Sequence, residues 1–306
     1  MNSQEAVQES IYARAYAKIN WWLAVGERRA DGYHDLQTLF QTIDLYDELS
    51  FTRATDLLLE LDSNTLLETG DKNLVLRAAR ALQVAAYSNS ANLPGAYIRL
   101  KKSIPIAAGL GGGSADAAVT LLALNQLWRC QLVTAELVEI AAQLGSDVPF
   151  FLTGGTAWGE GRGTQITPLN DLAVDALLLV NPGVEISTAA VYQEFDRLTK
   201  KNRDTILPTC SFPAIYDMVF TQPLNSLMPV VTSLYPVVAE VETRLRELGG
   251  EPVLMSGSGA TVWARFPTHT QLRLAAAQLH STGWRVVETR TVSRHEYKSK
   301  VITVDH

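Results

Sequence analysis

Cysteine is nearly absent from this 306-residue chain: Cys130 and Cys210 are the only two, far apart, with no Cys-x-x-Cys pair and no Cys/His cluster. A disulfide scaffold is excluded, and structural zinc lacks ligands at the usual spacing. Sparse thiol usage suits a reducing compartment. Long apolar runs are missing too. Stretches such as Ala176–Val180 and Leu121–Leu124 fall far short of the roughly 20 residues that span a bilayer, so no membrane partner is expected. Met1–Ser10 is polar with no apolar core, and is expected to be neither a secretory signal nor an Arg-rich transit peptide. Nor is there an excess of positive charge. Thirty-two acidic residues against 26 basic ones leave a net charge of −6, which argues against nucleic acid, whose binding rests on basic surface. A cytoplasmic protein, monomeric or weakly dimeric, is expected.

What is present is ordinary globular composition, 47% hydrophobic and 19% charged. The length is about twice the ~150 residues of one domain, and a composition shift near residue 165 divides the chain into lobes 1–165 and 166–306. Residues 11–25 read as strands, followed by the turn Arg29-Ala30-Asp31-Gly32; 38–53 and 56–61 read as further strands. Asn73–Gln83 has helical spacing, and in 96–101 Tyr97, Arg99 and Lys101 alternate with Ile98 and Leu100. A helix is expected over Thr134–Leu144, with Thr134 as N-cap, Glu136 in the first turn and Gly145 as its stop. A new helix start follows at Gly145–Phe151. A glycine-rich segment, 153–163, separates it from a strand over 175–180. Helical stretches near 188–199 and 234–248, a glycine turn at Ser256–Ala260 and a last helix–strand pair complete an α+β pattern of mixed sheets with helices packed on them.

The strongest local signal is Pro105-Ile106-Ala107-Ala108-Gly109-Leu110-Gly111-Gly112-Gly113-Ser114-Ala115, between a strand and a helix. Glycines there allow positive φ and close approach of an anion. The free N–H groups and positive end of the following helix then form a phosphate site. Ser114 at the helix start is placed to cap it, to bind phosphate or to face a metal-bound water. Lys101 and Lys102 just upstream are expected to add positive charge. The loop is neither the Walker pattern, because Gly113 is followed by Ser114-Ala115, nor the dinucleotide fingerprint, because the sixth place from Gly109 is Ser114.

The loop resembles the central motif of the GHMP kinases. Ala17-Lys18-Ile19-Asn20, the run Arg29–Thr38 containing Asp31-Gly32-Tyr33-His34, Leu144–Phe151 containing Gly145-Ser146-Asp147, and Ser256–Thr261 follow in that family's order, from residue 17 to 261. The first two resemble the branch whose acceptor is a cytidine diphosphate ester of methylerythritol, in the non-mevalonate isoprenoid route. The resemblance implies a two-lobed fold with the active-site cleft between lobes. It also implies phosphorylation of the acceptor's 2-hydroxyl by ATP with Mg2+.

The same resemblance assigns roles. Asp147 becomes the catalytic base, although by residue type alone an Asp before Val-Pro caps a helix. Lys18 becomes its cationic partner, although a lysine on an apolar strand also snorkels to solvent. Residues 105–115 become the ATP loop, with Asn73 near the adenosine or serving only as a helix cap. Tyr33 stacks on the cytosine, His34 bonds it, Tyr192 covers the opposite face, Thr188 lies beside it, and Asn20 orients the acceptor's hydroxyls. By themselves Tyr33 and Tyr192 read as half-buried tyrosines. Ser256–Thr261 becomes a wall near the acceptor phosphates, or a plain turn. The Glu that binds metal in other GHMP kinases is not placed here, so protein ligation of the metal stays open, with Ser114 a candidate contributor. His269, His280, His295 and His306 read as surface residues.

Three departures stand out: Trp21-Trp22 after Asn20, Ala115 in place of a Ser, and Thr188-Ala189 in place of Thr-Pro. The tryptophans narrow the pocket or fill a core. Two other readings stay open, a kinase for another small alcohol such as mevalonate or homoserine and a non-catalytic nucleotide-binding regulator.

Overall fold

The apolar, aromatic stretch after residue 9 forms one long strand rather than several. In a computed structural model of the chain, residues 10–61, 70–88, 90, 92–199 and 219–305 are described; Cys210 and His306 lie outside them. Strand β1 (Ser10–Arg28) pairs antiparallel with β2 (His34–Ala54) around the Arg29–Gly32 turn. The register slips between Tyr16 and Lys18 and again between Asn20 and Trp22. Such irregularities bend a strand and re-aim its side chains. Here they flank Lys18 and Asn20.

A seven-stranded sheet grows on this hairpin. Its main path is β11 (Ile302–Asp305), β1, β2, β4 (Gly95–Lys101), β3 (Leu57–Leu61), with β5 (Thr156–Gly161) on β2 and β6 (Gln165–Pro168) on β5. Only β3–β4 is parallel in it, so the sheet is mixed. The four-stranded second sheet runs β10 (Arg285–Thr289), β7 (Leu177–Asn181), β9 (Val262–Arg265), β8 (Val253–Met255). The first sheet therefore takes strands from both sides of residue 165. The glycine-rich 153–163 segment is not a spacer: its Thr156–Gly161 part is β5, with Gly159 against Phe40, where a Cβ would sit 2.7 Å from the ring.

Helices α1 (Leu74–Tyr87), α2 (Gly112–Leu127), α3 (Thr134–Leu144) and α4 (Val148–Thr153) cover the first sheet. α2 buries residues on all its sides and packs against α1, α3, α4 and β1, as expected of a central helix. The N-cap of α3 is Val133, not Thr134. Glu136 accepts a hydrogen bond from the Val133 N–H at 2.8 Å, so the carboxylate at the third position satisfies the helix start without a hydroxyl cap. The second half carries α5 (Thr188–Thr199), α6 (Met228–Leu234), α7 (Pro236–Glu247), α8 (His269–Leu279) and α9 (Arg294–Lys300). The stretch expected near 234–248 breaks at Tyr235, because the residue before Pro236 is driven out of helical geometry.

Two cores result. Ile11, Ala13, Ala15 and Tyr16 join the core under the first-lobe helices, whereas Ala17 to Val25 join the core shared with the second sheet. Trp21 meets Trp263 edge-on at 4.6 Å and Trp22 stacks on Trp158 at 5.8 Å, both fully buried. The tryptophan pair fills the interlobe core and does not line the cleft. Among the described residues no helix is long and apolar enough to cross a membrane.

Candidate active site

Between the sheets lies a cleft of about 660 Å3, lined from the first lobe by Lys18, Asn20, Tyr33, His34, Gly109, Gly111 and Asp147, and from the second by Thr188, Tyr192 and Gly257–Gly259. That volume suits a small-molecule ligand. The glycine loop forms its lip. Ala107, Gly109 and Gly111 all have left-handed φ (51°, 76° and 71°), an alternation that turns successive N–H groups toward one concave side. A Cβ on Gly109 would lie 2.1 Å from the Ser256 carbonyl oxygen, and one on Gly111 2.8 Å from the Phe151 ring. Gly111, not Ser114, is the N-cap of α2, and no side chain caps that end. The first-turn N–H groups of α2 have no carbonyl one turn back. The loop is tied down by Lys18 N–H to the Leu110 carbonyl, by Thr261 N–H to the Ala108 carbonyl, and by the Ser256 hydroxyl to the Gly109 carbonyl.

The structure brings Lys18 and Asp147 together from strand β1 and the start of α4. Lys18 Nζ lies 3.3 Å from Asp147 Oδ2 and donates to Asn20 Oδ1 at 2.8 Å. Asp147 occupies the N-cap position of α4 but makes no side-chain cap bond. Its carboxylate is left to Lys18 and the cleft. The lysine side chain is 4% exposed and the aspartate 32%: the cation is held from behind and the carboxylate remains reachable. Asn20 Oδ1 also accepts the Gly257 N–H at 2.9 Å, while its Nδ2 donates to Thr38 Oγ1 at 2.7 Å. Asn20 thus links the lysine to the second lobe's glycine turn. Asn73, by contrast, caps α1, its side-chain oxygen accepting from Val75 N–H at 2.9 Å, and does not line the cleft.

At the far end of the cleft Tyr33 is exposed on the Asp31 turn, with the Arg162 guanidinium 3.6 Å over its ring. His34 is buried and stacks on Tyr192 with ring centres 5.1 Å apart. Burial pushes the Tyr192 phenol up, and the nearby Asp147 carboxylate adds to that shift. The Thr188 and Ser258 hydroxyls meet at 2.8 Å, joining α5 to the glycine turn. Sequence reasoning missed Arg28, Arg162 and Asp196, all lining this end. Asp196 stands one helical turn after Tyr192 on α5, a spacing that shares a face and would have pointed to it. Of the other histidines, His269, His280 and His295 are exposed, as expected.

The lysines upstream of the loop do not serve the cleft. Lys101 pairs with Glu48 on the surface at 2.8 Å. Lys102 is buried beneath the loop between Asp47 and Asp116, 2.7 Å from the latter. Asp47 Oδ1 also accepts the Ser103 and Ile104 N–H groups, whereas Asp116 Oδ1 has no hydrogen-bond partner among the described residues. Burial pushes the Asp116 carboxyl up to about 7 against the pull of Lys102. A charge fully consumed by two carboxylates adds little to a phosphate site. Among the described residues no three His, Cys, Asp or Glu side chains gather as a metal cage. Ser114 stands in the first turn of α2.

With the geometry in place, similarity to known proteins narrows the chemistry. The GHMP kinases N terminal domain matches residues 73–155, and the GHMP kinases C terminal domain matches 213–284. The 4-diphosphocytidyl-2-C-methyl-D-erythritol kinase of Pelotomaculum thermopropionicum is 42% identical over 297 residues, covering 92% of this chain and 98% of that protein. The one of Syntrophotalea carbinolica is 40% identical, covering 91% and 98%. A crystal structure of 4-(cytidine 5'-diphospho)-2C-methyl-D-erythritol kinase superposes with a TM-score of 0.75 at 34% identity, covering 92% of this chain and all of that one. Homoserine kinase from Cytophaga hutchinsonii reaches 0.67 at 16% identity, over the full length of both, a likeness of fold alone.

Proposed function

From the premise that this chain belongs to the 4-diphosphocytidyl-2-C-methyl-D-erythritol kinases of the GHMP superfamily, we propose how its residues transfer the γ-phosphoryl group of ATP to the acceptor's 2-hydroxyl. The activity is an ATP-dependent phosphoryl transfer in the non-mevalonate isoprenoid pathway. Such transfer asks a protein mainly for positioning and charge stabilisation. The observation that carries the reading is the Lys18–Asp147 pair at 3.3 Å beside the glycine loop.

In this reading Asp147 accepts the proton of the 2-hydroxyl as the oxygen attacks phosphorus. Lys18 keeps the carboxylate ionised and stabilises charge on the transferring group. The amides of 109–114 and the positive end of α2 hold the triphosphate. A magnesium ion on the triphosphate would neutralise its charge, and the Ser114 hydroxyl in the first turn of α2 would be the protein group at hand to hold it. Tyr33 and Tyr192 supply ring faces and His34 a polar edge for the cytosine; base stacking of this kind is worth about 1–3 kcal/mol. Asn20 and Thr188 position the erythritol and its phosphates against the Gly257–Gly259 turn. Asn73 caps α1 through its side-chain oxygen and stays the neighbour assigned to the adenosine. The chain divides at about residue 165 into a nucleotide-side lobe and an acceptor-side lobe, with β6 and β11 returning to the sheet of the first.

ADP release measured side by side with the cytidine diphosphate acceptor, mevalonate and homoserine tests this. Turnover with the first alone is expected. Turnover only with either of the others assigns the chain to another alcohol, and silence on all three makes it a nucleotide-binding regulator.

A further inference from the structure

His34 is held in one orientation by a residue from the other half of the chain. Its Nε2 lies 2.7 Å from Asp196 Oδ1, and the second Asp196 oxygen lies 3.8 Å from the Arg28 guanidinium. The His34 side chain is 5% exposed and that of Asp196 21%, so water competes weakly for this bond. Tyr192 covers one face of the imidazole, and Phe195 meets it edge-on at 6.1 Å. Among the described residues no hydrogen bond reaches Nδ1, and His34 lines the cleft. The ring is thus clamped at one nitrogen and open at the other.

A carboxylate only accepts hydrogen bonds, so Nε2 must be the protonated nitrogen. In the neutral ring Nδ1 then carries a lone pair and presents an acceptor to the cleft. An acceptor there matches the exocyclic amine of a cytosine ring and faces the 4-keto oxygen of uracil with like polarity.

We propose that Asp196 is a positioning residue that fixes the His34 tautomer and thereby makes the site select an amino-bearing pyrimidine over a keto-bearing one. This rests on the reading that His34 meets the base. It adds a residue that touches neither base nor phosphate yet decides the hydrogen-bond polarity that the base encounters. Arg28 holds the far side of the carboxylate and Tyr192 holds the plane of the ring. Specificity is therefore assembled across the lobes, from the β1–β2 hairpin and α5.

The test compares the cytidine diphosphate acceptor with its uridine counterpart as alternative substrates. One mismatched hydrogen bond inside a site costs about ten- to a hundredfold, and the wild-type protein should favour cytidine by that ratio in kcat/KM. Asp196→Asn no longer dictates the tautomer, because an amide both donates and accepts. The ratio should then fall to within about threefold, through a raised KM for the cytidine acceptor and a gain with the uridine one, while Asp196→Glu restores part of the preference. Parallel losses with both acceptors and an unchanged ratio would reduce Asp196 to a structural role and overturn the proposal. His34→Ala separates the two layers: if that variant keeps the full cytidine preference, the assignment of His34 to the base fails first, and the proposal with it. Nitrogen-15 spectra of the wild-type imidazole need no variant that might misfold. A proton on Nε2 is expected, and a proton on Nδ1 alone would contradict the mechanism.

Discussion

Two clusters of lysine and aspartate flank the glycine loop, and they differ in what they leave unsatisfied. At the cleft Lys18 meets Asp147, whose side chain is about one-third exposed. Beneath the loop Lys102 is shared by Asp47 and Asp116, all three sealed from water. The residue types are the same. In the first cluster the cation is held and the carboxylate faces the cleft, which suits proton transfer. In the second the cation is saturated and the loop's entry is pinned through the Ser103 and Ile104 N–H groups, which suits rigidity. Ion pairs become chemical sites when one partner keeps a free face.

Substitutions can break or sharpen this contrast. Lys18→Met should have the largest effect, lowering kcat about a hundred- to a thousandfold, as removal of a charge-stabilising donor does, with little change in the melting temperature. Lys102→Met should do the reverse. It strands two buried carboxylates and should cost about 3–5 kcal/mol of stability in urea titration, with catalysis per folded molecule largely retained. Gly109→Ala should follow at about 2 kcal/mol, since a left-handed backbone and a Cβ 2.1 Å from the Ser256 carbonyl both add strain; it should also raise the KM for ATP.

Asp116 gives a pH signature. Its folded pKa, about 7, lies above the ordinary 3.8. Its contribution is therefore fully present below about pH 4 and is lost as pH rises through about 7. Melting temperatures taken from pH 5 to 8 should show that decline in the wild type and a flatter profile in Asp116→Asn. The smallest effect belongs to Asn73→Ala, about 1 kcal/mol from the lost α1 cap. An unchanged KM for ATP in that variant would confine Asn73 to the cap.

The two clusters also mark where sequence reading reaches its limit. Lys18, Asp147, Tyr33, His34, Tyr192 and the glycine loop stood out because short motifs carried them, and the cleft is lined by those five side chains and by Gly109 and Gly111 of the loop. Lys102 was misread because its partners stand 55 and 14 positions away, and spacing cannot reveal which carboxylates converge. Strand β5 hid in a glycine-rich run because Gly159 serves to make room for Phe40, while Gly161 leads into the turn to β6. The Trp21-Trp22 pair, ambiguous in sequence, filled a core that exists only once β9 and β5 pack on either side. Local chemistry was readable; long-range pairing was not.

The central claim is that Asp147 takes the proton of the acceptor hydroxyl while the glycine loop independently holds ATP. Single-turnover phosphoryl transfer by Asp147→Asn, with the ATP dissociation constant measured on the same preparation, addresses it directly. A transfer rate about 10²–10⁴-fold below wild type with ATP affinity essentially intact is the expected result. Transfer near the wild-type rate would contradict the account.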